Sequence, residues 1–362
     1  MIALDKHVAD DPAAGWRPAL NIKYDEKYVI RLAAKDDIAL IMTFIDMYWK
    51  KGHILAVNRS FFEYEFLEPN GSVNFILAID RQKDTLEGIL GYLKASHDEE
   101  CMDIWGSIWK VKEGNIPLLG VELAVRLEEL VRFRYKLGIG SNPKTSIPFM
   151  KIFPNRKIGK MKHFYRLCQK EAFHIACIEY LPKSAAINES AAELSVKIQK
   201  INDFKAFDEK YSRLLNKDNV PYKDKNYIKR RFFEHPIYQY KVYGISTEGT
   251  PKAIIVFREE AVSDRKVLRI VDYVGEQSWF SCLGSFFDSL KEQYEYIDFY
   301  CLGFDERSVC AAGFALRQDD DKNIIPNYFH PFEQRNVDIW VHYPVDGVLF
   351  CKADGDQDRP NV

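Results

Sequence analysis

The residues with the most chemical potential fall into three groups along the 362-residue chain. The first is a turn, Lys112-Glu113-Gly114-Asn115-Ile116-Pro117-Leu118-Leu119-Gly120, between a strand over 104–111 and a helix over 121–135. A turn leading from a strand into a helix aims backbone N–H groups and the positive end of the helix dipole at an anion. The stretch is therefore a candidate phosphate cradle, with Pro117 limiting its freedom and Lys112, Lys144 and Lys160 as candidate charge partners. The second group is His53, in a polar loop between two helical stretches. An imidazole titrating near neutrality suits proton transfer. A capping or solvent-exposed histidine is the competing reading, and His163 and Tyr165 are the next candidates. The third group lies in the second half: Asp272 and Tyr273, Asp298 and Tyr300, the loop Asn327-Tyr328-Phe329-His330, and Arg359 near the end. Carboxylates and amides bind hydroxyls and base edges, aromatic rings stack on bases, and arginine grips phosphate through two N–H groups. The alternation of Asp354, Asp356 and Asp358 lacks the distal Glu of a calcium loop. No metal is expected there, and a disordered terminus is the other reading of this polar tail.

The elements that position these residues occur in an order that appears twice. Strand, polar turn, helix, strand, helix and strand run through 104–165, and 267–343 repeats that order at lower fidelity, with strands over 267–274 and 296–301 around a helix over 279–294. Ahead of the first copy come a strand over 28–32 and an amphipathic helix with Ile38, Leu40, Ile41, Phe44, Ile45 and Tyr48 on its apolar positions. A second helical stretch passes through Phe61, Phe62, Tyr64 and Phe66, and strands follow over 74–79 and 88–95. The second half restarts with a strand over 194–201, a helix over 203–215, a basic amphipathic stretch over 222–233 and strands over 238–245 and 251–259. Last come strands over 337–342 and 348–352. This order predicts an α+β (mixed α/β) fold of two tandem domains, each a mostly antiparallel mixed sheet flanked by helices. The divisions are an irregular lead-in over 1–23, a first domain over 24–181, a linker over 182–191 and a degenerate second domain over 192–362.

Composition narrows the function. An apolar content of 47% over this length suffices for two cores of ordinary size. A net charge of −2 argues against a nucleic-acid partner. Local basic clusters at Lys157, Lys160, Lys162 and Arg166, and at Lys229, Arg230 and Arg231, read either as solvated faces or as contacts to a small phosphorylated ligand. Seven scattered cysteines without metal-ligand spacing read as reduced thiols. The start of the chain is unlike a leader and no apolar run reaches the roughly 18–20 residues of a membrane span. A soluble cytoplasmic protein with no membrane partner is expected.

Asn142, followed at +3 by Thr145, at +7 by Phe149 and then by Lys151, resembles the helix motif of the GNAT acyltransferase superfamily. The second copy keeps Gly313-Phe314 from that pattern and has Val309 where a Tyr falls in the family. Taken whole, the chain resembles the tandem-GNAT sugar N-acyltransferases of bacterial surface-polysaccharide (O-antigen, lipopolysaccharide or capsule) biosynthesis, in particular those acting on dTDP-3-amino-3,6-dideoxyhexoses. The resemblance implies an acyl-CoA donor, 3-hydroxybutanoyl-CoA or acetyl-CoA, a dTDP-amino sugar acceptor, and a monomer or homodimer. It implies that Trp109, Lys112, Asn115, Leu118, Leu119, Gly120, Asn142, Lys144 and Phe149 bind coenzyme A. The strand carrying Trp105 and Ser107 would polarise the thioester, with His53 at the acceptor entrance as base. Asp272, Tyr273, Asp298, Tyr300, Asn327, Tyr328, His330 and Arg359 would hold the sugar nucleotide. Two departures matter. Of the family's glycine-rich loop only Gly120 stands in place, and Phe149 occupies the position of a Tyr that protonates the leaving thiolate, which a phenyl ring cannot do. Two other readings remain open: aminoacyl transfer from charged tRNA, which tandem GNAT proteins also perform, and a non-catalytic protein that binds sugar nucleotide or CoA.

Overall fold

The strands of the first half are β1 (Tyr28–Ala34), β2 (Ser72–Asp80), β3 (Thr85–Lys94), β4 (Asp103–Val111), β5 (Tyr135–Ile139), β6 (Lys157–Lys160) and β7 (Lys162–Leu167). Those of the second are β8 (Val196–Ile201), β9 (Tyr240–Thr247), β10 (Thr250–Val262), β11 (Arg265–Gly275), β12 (Tyr296–Leu302), β13 (Ala315–Leu316), β14 (Tyr328–Phe329), β15 (Phe332–Glu333), β16 (Trp340–Tyr343) and β17 (Phe350–Cys351). The helices are α1 (Tyr24–Lys27), α2 (Ile38–Phe44), α3 (Ile54–Val57), α4 (Arg59–Phe66), α5 (Leu119–Leu130), α6 (Ser146–Met150), α7 (Phe204–Lys210), α8 (Lys225–Ile228), α9 (Gly284–Leu290) and α10 (Glu306–Ala311). This computed structural model describes residues 23–182 and 196–360, apart from 152, 154 and 169–171. The lead-in expected over 1–23 and the linker over 182–191 lie outside the described residues, save Lys23 and Pro182.

Local sequence accounts for these elements. Helix α2 buries Ile38, Ile41 and Phe44, three residues apart on one face, and α4 buries Phe61, Phe62 and Phe66. Leu40 and Tyr48, expected on the apolar positions, are left exposed. Asn58 caps α4 by accepting the Phe61 N–H at 2.9 Å. These helices cover one face of the first sheet with Phe75, Leu77 and Ile89, while α5 covers the other through Leu119, Leu123 and Leu127. The second sheet is covered likewise, by Phe280 and Phe287 on one face and by Phe207, Ile228 and Phe232 on the other.

Several elements differ from expectation. The helix expected over 121–135 ends at Leu130, where the β-branched Val131 turns extended (φ −124°, ψ 122°). The helix after Asn142 contracts to α6, its start delayed by Pro143 and by the Asn142 side chain, which accepts the Lys144 N–H at 2.8 Å. The helix expected over 279–294 divides into a 3-10 turn (Gln277–Leu283) and α9, with Gly284 at the joint. No helix among the described residues is long and apolar enough to cross a membrane.

The sheets are interlocked. The first has the order β1-β2-β3-β4-β5-β16-β6 and the second β13-β7-β12-β11-β10-β9-β8, with β17 attached to β12. Strand β16 comes from the end of the chain yet lies between β5 and β6, while β7 from the first half lies between β12 and β13. Neither sheet is completed by one half of the sequence. The exchanged strands bring Trp105, Leu137, Met161, Tyr300, Val341 and Phe350 into one core that straddles the two halves. Across the same seam Lys160 pairs with Asp338 at 2.8 Å, Arg166 with Asp288 at 2.6 Å, Lys157 with Asp346 and Lys162 with Glu306. The first basic cluster of the sequence is thus an inter-half ion-pair row.

Candidate active site

Strand β4 runs parallel to β5 only from Asp103 to Trp105, opposite Tyr135 to Leu137, and then the two separate. At the point of separation β4 bulges, so that Ser107 and Ile108 together oppose Gly91 of β3. Gly91 is obligatory there, since a Cβ would lie 2.8 Å from the Phe75 ring. A bulge next to an unpaired stretch leaves backbone groups of β4 facing a gap rather than a neighbouring strand. The gap holds a cavity of about 360 Å³ lined by Gly106, Ser107, Trp109, Gly138, Asn142 and His342, among others. A second hollow of about 350 Å³ continues from it beneath the 112–120 turn, and the two share Trp109, Thr145 and Ser146. Side by side, with Trp109 common to both, they line the cleft region from the bulge to the start of α5.

The turn is rigid by construction. Gly114 takes φ 79° and Leu118 φ 63°, the left-handed region that favours glycine, so Leu118 is held there by its surroundings. Asn115 staples the loop: its Oδ1 accepts from Tyr28 Oη at 2.9 Å, and its Nδ2 donates to Glu87 Oε2 at 3.0 Å and to the Lys112 carbonyl at 3.2 Å. Expected as a ligand contact, this amide is spent on fastening the loop to β1 and β3. Trp109 Nε1 donates to the Gly120 carbonyl at 3.0 Å, and a Cβ on Gly120 would sit 3.2 Å from that nitrogen. Gly120 and Val121 lie in the first turn of α5, whose N–H groups have no intrahelical acceptor. Leu118, Leu119, Gly120, Lys112 and Phe149 line this hollow, with the Phe149 ring 6.2 Å from that of Trp109. Lys112 is held by Glu87 at 3.1 Å and over the Tyr48 ring. Lys144 is exposed beside the cleft, and Lys160 belongs to the inter-half row instead.

At the other end of the cleft the chain terminus folds in. Gly138 admits the His342 ring, whose Nε2 would be 2.0 Å from a Cβ, and Gly140 (φ 73°) admits the Gln357 amide at 1.8 Å. Ser107 Oγ donates to Asp356 Oδ2 at 3.0 Å and accepts from Arg359 Nη2 at 3.0 Å. Arg359 also reaches Asp356 at 3.2 Å through Nη1 and Glu65 Oε2 at 2.7 Å through Nε. The tail is buried rather than disordered, with Ala353, Asp354 and Asp358 almost fully enclosed. Its three aspartates turn to three different cations: Asp354 to Lys223 at 2.8 Å, Asp356 to Arg359, and Asp358 to Arg258 at 2.6 Å.

His53 is near this end but arranged as a cap. Its Nδ1 accepts the Leu55 N–H at 3.2 Å at the start of α3, and its ring meets Trp49 edge-on at 4.7 Å. A neutral imidazole accepting at Nδ1 carries its proton on Nε2, so no free basic nitrogen remains. Burial, with Arg359 and Lys50 nearby, pulls its pKa down to about 4. The competing capping reading describes it better than the role of base. Among the alternatives, His163 is fully buried against Asp298 and Tyr300, and Tyr165 bonds Asn323.

The second-half candidates are not brought to the cleft, with the exception of Arg359. Asp272 is enclosed and paired with Lys223 at 2.7 Å, and Asp298 with Arg269 at 2.8 Å and His163 at 3.2 Å. Tyr273 and Tyr300 are core residues whose hydroxyls bond the carbonyls of Glu276 and Val337. Asn327 is buried behind the second sheet, while Tyr328 and His330 are exposed there, His330 beside Glu260. These residues look like ligand contacts in sequence because polar side chains on strands are ambiguous: here burial in ion pairs uses them up. The equivalent gap between β11 and β12, which also diverge after three parallel pairs, is filled by β17 and the tail. There the carbonyl of Val271, the extra residue of the β11 bulge, accepts the Ala353 N–H at 2.7 Å. Sequence reasoning missed Glu65 and Asp356: Glu65 reads as an ordinary polar position of α4, and Asp356 as part of an acidic tail.

No protein-family model matches the sequence, and no curated protein does. Solved structures do match. A GCN5-related N-acetyltransferase from Anabaena variabilis superposes with a TM-score of 0.54 over 87% of this chain and 72% of its own, at 9% identity. A protein of Enterococcus faecalis described as a probable N-acyltransferase gives 0.55 over the same shares, also at 9% identity. The fold is that of the GCN5-related N-acetyltransferases. It accounts for both sheets: the chain is two GNAT-like domains, one with an open β4–β5 gap and one whose β11–β12 gap is closed.

Proposed function

We propose that the chain transfers an acyl group from acyl-CoA to a primary amine, and that the amine belongs to a dTDP-linked amino-dideoxy sugar used in surface-polysaccharide biosynthesis. The observation that carries the acyl-transfer reading is the pair of adjoining hollows that reach from the first turn of α5 to the bulge at Ser107 and Ile108. The N–H groups of Gly120 and Val121 suit a pyrophosphate. An extended pantetheine arm suits the unpaired edges of β4 and β5, and the backbone at the bulge suits a thioester oxygen that gains negative charge on attack. Phe149 offers no proton to the departing sulfur, so the thiolate is protonated by solvent or by the acceptor amine. The sugar-nucleotide acceptor and the 3-hydroxybutanoyl or acetyl group rest on the sequence resemblance.

Isothermal titration with acetyl-CoA and 3-hydroxybutanoyl-CoA tests the donor. Gly120→Asp, which places a carboxylate beside Trp109 at the start of α5, is expected to weaken binding at least roughly tenfold through the reversed charge at the helix N-terminus. Mass spectrometry of products from dTDP- and UDP-amino sugars then tests the acceptor. If neither thioester binds and no amide forms, the reading fails.

A further inference from the structure

Beside the cleft, where α4, β2 and β3 meet the stretch 227–231 of the second half, lies a smaller cavity of about 80 Å³. Its lining includes Glu65, Trp105 and Arg231, and each carries a buried polar atom with no hydrogen-bond partner among the described residues: Glu65 Oε1, Trp105 Nε1, and Arg231 Nε and Nη2. The Glu65 side chain is only 3% exposed and Arg231 only 7%. Unpartnered buried polar groups are rare because each costs its full desolvation penalty. One wall can hold one by accident, whereas three residues from three elements around one cavity describe a ligand. The other charges nearby are already used. Glu68 accepts from Asn74 at 2.7 Å and pairs with Lys94 at 3.1 Å and His97 at 3.4 Å. Arg230 is bonded to the Tyr64 carbonyl and lies over its ring. What is left unspent is one carboxylate oxygen, one guanidinium edge and one indole N–H.

This cavity is coupled to the cleft by a single side chain. Arg359 holds the second oxygen of Glu65 and, through its other nitrogens, Ser107 and Asp356 of the cleft wall. Trp105 and Gly355 line the small cavity, and the next residues, Gly106 and Asp356, line the cleft.

We infer that the small cavity is the acceptor subsite: it receives the amine end of a substrate that also carries an acidic group, phosphate or carboxylate, with Glu65 Oε1 taking the amine and Arg231 the anion. This rests on the acyl-transfer reading and names the acceptor's chemistry. A volume of about 80 Å³ admits a head group only, so the rest of the acceptor lies outside. The step balances. The ammonium gives one proton to Glu65, which later passes to solvent. The freed lone pair forms the C–N bond as the C–S bond breaks, and the thiolate leaves as a thiol with the second nitrogen proton. Burial pushes the Glu65 carboxyl up, against the pull of Arg359 and Arg231 and with a further push from Asp356. That direction favours proton acceptance near neutrality.

The test compares the full chain with Glu65→Gln, Arg231→Gln and Trp105→Phe, the last removing one N–H while keeping a ring. Acetyl-CoA titration and melting temperature report folding and the donor site. Turnover and direct binding are measured with a dTDP-amino sugar, an α-amino acid and an amino sugar without an acidic group; the first two separate a phosphate from a carboxylate as the anion. Glu65→Gln is expected to keep acetyl-CoA affinity, to lower kcat about 100-fold and to flatten the acid limb of the pH profile. Arg231→Gln is expected to raise KM about tenfold for the acidic acceptors alone. Trp105→Phe should weaken acceptor binding with acetyl-CoA affinity unchanged. Folded variants with native kcat and KM, or equal use of the amino sugar without an acidic group, overturn the subsite while leaving acyl transfer standing. Absence of acyl-CoA binding in the unmodified chain sinks the acyl-transfer reading; loss of acidic-amine binding in Arg231→Gln would then still support the cavity as an amine site, and no such binding overturns it.

Discussion

His53 has the residue type and the location of a general base but lacks a free basic nitrogen, because Nδ1 is committed to the Leu55 N–H. Sequence displays the type of a side chain and conceals its partner, which is why His53 stood out and Glu65 did not. His342 makes the same point through stability. It is buried over Gly138 in the exchanged strand β16, and burial together with Arg156 and Lys136 pulls its pKa down to about 3. A folded-state pKa below the unfolded value of about 6.5 means the unfolded chain binds the proton first. The stability from keeping His342 neutral is therefore complete above pH 6.5 and is lost as pH falls from there toward 3. At pH 5 the loss from this residue is on the order of 2 kcal/mol. Melts at pH 7.5 and 5.0 should show a smaller acid-induced drop for His342→Gln than for the unmodified chain. Equal drops would remove His342 as the source.

At the level of elements, hydrophobic alternation locates strands well: the strand expected over 104–111 is β4 (Asp103–Val111), and that over 136–140 is β5 (Tyr135–Ile139). The features that make the gap, a bulge of one extra residue and a parallel pair that parts after Trp105, leave no trace in a period of two. Apolar periodicity overstates a helix where a proline and an Asx bond intervene, as at α6. The closed second gap converts apparent ligand residues into supports. Asp272, enclosed with Lys223 and Asp354, is such a support. Asp272→Ala leaves a buried lysine with one carboxylate fewer and is expected to cost about 3 kcal/mol. Urea titration should show that loss with acyl-CoA affinity unchanged in the folded protein. A variant of native stability with a weakened acceptor KM would restore Asp272 to the binding residues.

For the molecule as a whole, the duplicated element order was legible, and the exchange of β7 and β16 was not. A short strand such as Trp340–Tyr343 has the same pattern whichever sheet receives it. Because each sheet lacks a strand without the other half, fragments 23–182 and 196–362 made separately are expected to melt without a cooperative transition. Mixed, they should form a 1:1 complex that melts cooperatively, read by light scattering and circular dichroism. A cooperatively folded isolated half would show that the exchange is dispensable. The late position of β16 also sets a timetable for synthesis. The ribosome delivers the 112–120 turn and the β4 bulge more than 200 residues before the wall that closes the gap, His342 and Asp356. A chain that stops before β16 therefore carries the donor loop without a finished cleft, so that the cleft exists only once both halves have been made.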